Sequence, residues 1–232
     1  MRLDKYLASA AALSRSEARD AVMKGRVRVD GAVCKKAGTE VTNACEILFE
    51  GRALVHTEHV YIMLDKPMGV VSASTDKSDK TVVDLVKDAY PKRELFPAGR
   101  LDKTSTGFVL LTDDGAFAHD ILAPKRHVSK TYEVEIDAPL TEEMVQGFKS
   151  GVVLADGTAL SPAEVTPLQD ALHVKVVLRQ GVYHQIKRMF GVYEVGVNAL
   201  RRVAIGALSL DKALKPGEFR EITAQELTEI SM

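Results

Sequence analysis

The sequence predicts an α+β fold in two domains: a small helix-led domain, then a larger one whose mixed, largely antiparallel sheet is flanked by helices. Three observations predict it. The chain has 232 residues, which allows one or two domains at roughly 150 residues each. Its first sixty residues pass from helical spacing to short alternating strands. Beyond them, short apolar runs follow one another across brief turns, favouring sequential antiparallel pairing over a doubly wound parallel sheet.

The elements follow in order. Leu3, Tyr6, Leu7 and Ala10 fall at helical spacing. Ser14 and Glu17 form a capping-box pattern that opens a second helix running to Met23, with Gly25 placed to end it. Arg26 to Val29 alternates basic and apolar residues before an Asp30-Gly31 turn, a hairpin signal. Glu46 to Phe49 is a short strand ending at Gly51, and residues 51–59 read as a linker, so the domains are expected at 1–57 and 60–232.

In the second domain, Tyr61 to Leu64 is a strand stopped by Lys66-Pro67-Met68-Gly69. Thr81 to Tyr90 reads as a helix with Val82, Val83, Leu85, Val86 and Ala89 on its apolar side. Phe108 to Leu111 is a buried strand ending at a Thr112–Gly115 turn, and Lys130 to Ile136 alternates as a half-buried strand. Further strands are expected at 152–154, 163–165 and 172–178, with helices near 141–149 and 183–190 and an acidic helix in the closing EITAQELTEISM.

Composition excludes several classes. Apolar residues are 46% and charged residues 27% of the chain, ordinary soluble-globular usage. A chain of this size buries about 70% of its unfolded surface and folds without metal or disulfide. No apolar run approaches the ~18 residues of a membrane span. Asp4 and Lys5 interrupt any signal-peptide core. Cys34 and Cys45 are too few for a disulfide framework and lack zinc spacing. The expectation is a reduced, cytoplasmic protein. His119, His127, His173 and His184 show no metal-binding arrangement, so no metal is expected, and His184 reads as a positioning or core residue.

Charge is unevenly spread. The net charge is −1, yet residues 1–36 hold nine Lys/Arg against four Asp/Glu, and residues 179–202 hold five against Glu194 alone. Two basic stretches in a near-neutral chain fit either a phosphate-binding footprint or two solvated helix faces.

The densest local signal is AGRLDKTSTGFVLLTDDG, beginning at Ala98. Asp102 lies there in a polar loop ahead of an apolar strand, with Arg100 and Lys103 beside it to keep it ionised. As a lone Asp in a Gly-bounded loop it reads first as a turn former. The whole stretch resembles the signature loop of the pseudouridine synthases of the RsuA family, which act on ribosomal RNA. LDKPMGVVS from Leu64, KTYEVEI from Lys130 and GVYHQIKRMF from Gly181 resemble three further blocks of that family. RLDKYL followed by SRSEARDAVMKGRVRVDG resembles the alpha-L RNA-binding domain of ribosomal and tRNA-synthetase proteins.

The resemblance implies a small alpha-L RNA-binding domain followed by a pseudouridine synthase domain. It implies Asp102 as the catalytic carboxylate, Tyr132 against the target uracil, and Lys187 as the basic partner of Asp102, with Arg188 the nearby alternative. It also implies Leu200 beneath the site and Arg202 facing RNA, while Ala204 stands where many relatives carry a second Arg. Arg15, Arg19, Arg26 and Arg28 are expected to hold the RNA backbone, and Arg100 to order the loop or touch RNA.

The implied reaction breaks the N1–C1′ bond of uridine, turns the uracil and joins C5 to C1′. It needs no cofactor. Attack at C6, attack at C1′ and a glycal route remain open. The expected partner is small-subunit (16S) ribosomal RNA within an assembling particle, bound by a monomer. The acidic ending contrasts with the long basic tail of many large-subunit enzymes. A large-subunit (23S) site and a catalytically idle ribosome assembly factor are the alternatives.

Overall fold

The computed structural model describes every residue except 12, 43, 55–57, 124, 125, 127, 155, 231 and 232. His127 and the expected domain limit at 57 therefore lie outside the described residues. The chain divides into two compact units, Met1–His59 and Val60–Met232.

In the first unit, helices α1 (Leu3–Ala10) and α2 (Arg15–Met23) accompany a four-stranded sheet ordered β2-β1-β3-β4, from Val27–Val29 (β1), Ala32–Val33 (β2), Ile47–Phe49 (β3) and Arg52–Leu54 (β4). The capping box forms: Ser14 Oγ accepts from the Glu17 amide at 3.2 Å, and the Glu17 carboxylate accepts from the Ser14 amide at 2.7 Å. Asp30 and Gly31 both take positive φ (49° and 80°), the geometry of a tight primed hairpin turn. Leu3, Leu7, Ala18, Val22, Val27 and Ile47 bury the unit's core.

In the second unit, the main path of the sheet runs β13-β5-β7-β11-β8-β10-β9. Its strands are Tyr61–Lys66 (β5), Phe96–Pro97 (β6), Thr106–Thr112 (β7), Lys130–Ile136 (β8), Glu164–Pro167 (β9), His173–Leu178 (β10), Val197–Ile205 (β11), Leu208–Ser209 (β12) and Phe219–Glu221 (β13). β6 pairs with β7, and β12 with β11. Among these described strands only the β7–β11 pair is parallel, so the sheet is mixed and largely antiparallel. The helices are Gly115–Leu122 (α3), Glu142–Ser150 (α4), Gln185–Gly191 (α5) and Ala224–Ile230 (α6).

Both faces of the sheet's centre are covered. Ile62, Leu64, Val109 and Leu111 join one buried cluster with Phe148 of α4 and Phe190 of α5. Met63, Phe108 and Leu110 point the other way, into a cluster with Ile121 of α3 and Ile230 of α6. Two-sided burial explains why the 108–111 segment is apolar without a break.

Several expectations differ in detail. Thr81 to Tyr90 is a run of turns, not a helix. Its start is tied elsewhere: the Val82 amide donates to the Val71 carbonyl at 2.9 Å. The Asp84 carboxylate also accepts from the Thr81 amide and hydroxyl, both at 3.0 Å. The Asp84 amide donates back to the Thr81 hydroxyl at 3.1 Å, a reciprocal capping pair, but beyond it the Val86, Ala89 and Tyr90 amides reach back three residues rather than four, which leaves turns. Residues 152–154 contribute only an isolated bridge, Val153 to Ala159. Asp114 is more than a turn residue, since its carboxylate accepts from the Phe117 amide at 2.9 Å and caps α3.

Candidate active site

Asp102 sits in the turn between buried Leu101 and β7, closed by the Ser105 amide donating to the Asp102 carbonyl at 3.0 Å. The segment that follows β5 grips this turn by its backbone. The Ser72 hydroxyl donates to the Leu101 carbonyl at 2.9 Å and accepts from the Leu101 amide at 3.0 Å. The Gly69 amide donates to the Lys103 carbonyl at 2.8 Å. Lys66, fully buried, donates from Nζ to the carbonyls of Ser105 at 2.6 Å and Pro67 at 3.0 Å. Burial pulls the Lys66 ammonium down to about 8; the Asp102 charge opposes that shift and Arg202 adds to it.

A second wall comes from the start of α5. His184 caps the helix in a left-handed conformation (φ 51°, ψ 32°), which is why the helix begins at Gln185 rather than at 183. Buried Ile186, Met189 and Phe190 fix the helix on the core. That leaves His184 and Lys187, three residues apart, on one side. His184 Nε2 lies 3.3 Å from Asp102 Oδ1, and Lys187 Nζ lies 3.5 Å from Oδ2. Lys187 also donates to the Thr104 hydroxyl at 3.2 Å. The Asp102 side chain keeps 30% of its surface exposed, so an incoming atom can reach it. Beside it lies a cavity of about 280 Å³ whose lining includes Met68, Thr104, Lys187, Asn198 and Leu200.

The remaining expected residues are placed unevenly. Leu200 is half-buried, packs against the larger core and lines that cavity. Tyr132, opposite Arg202 in the β8–β11 register, is 9% exposed and shares the larger core with Leu101. Arg202 differs from expectation. It is 2% exposed, its Nε donates to the Phe108 carbonyl at 2.7 Å, and a guanidinium buried so does not face an RNA backbone. The close β7–β11 approach also dictates Gly107 (φ 100°): a Cβ there would land on the Arg202 carbonyl. Arg201 is likewise engaged, bidentate on fully buried Asp65 at 2.8 and 3.0 Å. Arg100 is exposed, and Arg188 pairs with Asp156.

In the first unit, Arg15, Arg19, Arg26 and Arg28 are all exposed. Arg19 stands 3.9 Å from buried Asp4, which Arg2 holds at 2.8 Å. Arg28 donates to the Gly31 carbonyl at 3.0 Å. Arg26 pairs with Glu50, its Nε at 2.9 Å, and its guanidinium lies 5.2 Å over the Phe49 ring.

Residues 60–191 match the family described as RNA pseudouridylate synthase, and residues 1–46 match the S4 domain. The chain is 40% identical to an uncharacterized RNA pseudouridine synthase of Bacillus subtilis, covering 98% of this chain and 97% of that one. It is 38% identical to the ribosomal small subunit pseudouridine synthase A of Vibrio vulnificus, covering 99% of each. A solved pseudouridylate synthase superposes with a TM-score of 0.70 at 35% identity, with 99% of both chains covered.

The chain belongs to the RNA pseudouridylate synthase family. It is a pseudouridine synthase with an N-terminal RNA-binding S4 domain, the domain whose residues read as alpha-L from sequence. Among the described residues, no helix is long and apolar enough to cross a membrane.

Three residues of this synthase's site escaped the sequence reading. Lys66 reads as the stop of a strand, and its role as a buried, carbonyl-bound ammonium depends on where Ser105 returns in space. Ser72 gives no signal, since its role depends on where Leu101 returns in space. His184, read as a positioning or core histidine, carries its signal in its three-residue spacing to Lys187.

Proposed function

We propose that this synthase isomerises one uridine of small-subunit (16S) ribosomal RNA within an assembling particle, with Asp102 acting on a flipped-out nucleotide. The observation that carries the chemistry is a partly exposed carboxylate with two nitrogen partners, 3.3 and 3.5 Å away, beside a cavity of about 280 Å³. The small-subunit substrate is supported by the full-length likeness to the Vibrio vulnificus enzyme of that name.

C1′ and C5 of a stacked uridine are out of reach of a protein carboxylate, so the nucleotide must leave its strand. Asp102 then works at the base or the sugar, either as a nucleophile or as a stabiliser of the cleaved state. Lys187 pairs with the carboxylate at 3.5 Å and orients it, while Leu200 supplies an apolar floor to the cavity. Once the N1–C1′ bond breaks and C5–C1′ forms, the proton on C5 must leave and N1 must gain one. Tyr132 is assigned to the uracil face, with its hydroxyl available for that transfer.

The test is turnover on transcribed 16S ribosomal RNA, with and without small-subunit proteins, mapped by carbodiimide-blocked primer extension. One new stop, lost in Asp102→Asn, is expected. A stop only on 23S RNA would move the substrate to the large subunit. No stop on either, with RNA still bound, would leave an idle assembly factor. Free uracil in the product would indicate hydrolysis instead.

A further inference from the structure

Tyr183 has no place in the chemistry above, yet among the described residues it is the one exposed aromatic. Of seven Phe and six Tyr, with no Trp, the others are buried or half-buried, whereas Tyr183 keeps 75% of its surface exposed. Its ring is not loose. It stacks on the His184 imidazole with centroids 3.8 Å apart and planes 16° from parallel. His184 is in turn fixed by its left-handed helix-cap backbone and lies against Asp102 at 3.3 Å. One face of the phenol ring is thus covered and the other open, a single residue away from the group that meets the carboxylate.

We infer that Tyr183, backed by His184, is a stacking platform for an unpaired RNA base next to the uridine that enters the site. The inference rests on the RNA-modifying reading of Asp102. Extruding one nucleotide removes a stacking partner from each neighbour. An aromatic face at the mouth of the site replaces that partner, and it does so for any base because every base presents a π-face. The ring's orientation is set before RNA arrives, so little ordering cost accompanies the contact. The occupant is a neighbouring base rather than the target uracil. Tyr183 is not among the residues that line the cavity, which include Thr104, Lys187 and Leu200.

Two measurements on the full chain decide it. In steady-state turnover on whichever ribosomal RNA transcript the wild type modifies, Tyr183→Leu is expected to raise KM by about 5- to 100-fold. The rate at saturating RNA should fall less than about threefold, and Tyr183→Phe, which keeps the ring, should behave as wild type. An unchanged KM in Tyr183→Leu would overturn the platform. So would a fall in kcat at constant KM, because that would make Tyr183 a prop for His184. The second measurement needs no turnover. Tyr183→Trp installs the only tryptophan of the chain, and its fluorescence should be strongly quenched when a single-stranded RNA 12-mer binds to saturation. Unquenched fluorescence with RNA bound would refute stacking even if neither ribosomal RNA proved to be a substrate.

Discussion

The loop around Asp102 and the arginine surface of the S4 domain are both built from charge, but they are built in opposite ways. Around Asp102 the partners are buried or half-buried and each has a fixed address: Lys66 on three carbonyls, Ser72 on both backbone groups of Leu101, Lys187 on the carboxylate. On the S4 domain the arginines are exposed, and their partners are the domain's own groups, Asp4 for Arg19 and Glu50 for Arg26. Charge fixed in a semi-buried site acts at full strength on a reacting atom. Charge on a solvated surface acts weakly, is screened by salt, and contributes through number. The first region should therefore govern kcat and the second affinity.

The largest effect should follow Asp102→Asn, which is nearly isosteric. Turnover is expected to fall by roughly 10³-fold or more, with RNA affinity within about threefold of wild type. Filter binding and single-turnover kinetics check the two halves separately. A matching loss of affinity would erase the division of labour between the regions.

Lys66→Met comes next. It keeps the apolar stem and removes the ammonium, leaving the Ser105 and Pro67 carbonyls without their donor, a loss of about 1–3 kcal/mol per buried group. The Asp102 turn loosens, and kcat should fall about 10- to 100-fold with little change in KM. The stability profile supplies a second readout. The folded-state ammonium titrates near 8, below its ordinary 10.5, so between those values the unfolded chain holds a proton that the folded chain has lost. Wild-type stability should accordingly gain a rising component from about pH 8 to 10.5, and Lys66→Met should lack it. Urea denaturation at pH 7, 8 and 9.5 reads the difference between the two slopes.

How far these regions were legible in the sequence follows from how local their causes are. The capping box at Ser14, the Asp30-Gly31 hairpin and the Lys130–Ile136 strand depend on neighbours within a few residues, and each forms where its pattern stands. Asp102 and Lys187 were singled out by their motifs, and the fold brings the two to 3.5 Å. The rest depends on partners distant in the chain. Thr81 to Tyr90 has a helical apolar pattern, but its start is bonded to Val71. β11, the longest strand, was hidden because Arg201 and Arg202 break its apolar alternation. Arg201 is held by Asp65 and the Arg202 Nε by the Phe108 carbonyl, partners 136 and 94 residues away in sequence. A buried guanidinium looks like a surface one until its acceptor is known, which is why Arg202 read as an RNA contact.

The surface side of the comparison is probed by reversing Arg19 and Arg28 to Glu together. KM should rise about tenfold while kcat at saturating RNA stays within about twofold. The slope of log affinity against log salt should fall by roughly one for each phosphate that is no longer neutralised. An unchanged slope would mean that these arginines do not meet phosphate.

The smallest effect is also the sharpest. Arg26 is exposed, yet Glu50 holds its guanidinium from Nε at 2.9 Å, with the Phe49 ring 5.2 Å away on another side. An exposed pair of this kind adds about 0–1 kcal/mol to stability, so Glu50→Gln should leave the fold almost untouched. It removes the internal competitor of a phosphate for Arg26 while the aromatic contact still orients the guanidinium. RNA affinity should then rise about two- to threefold at low salt, with a steeper salt dependence. Isothermal titration with the same transcript at two salt concentrations reads both. If affinity falls instead, Glu50 serves to aim Arg26 rather than to occupy it, and the arginine surface would share some of the fixed geometry that otherwise sets the Asp102 loop apart.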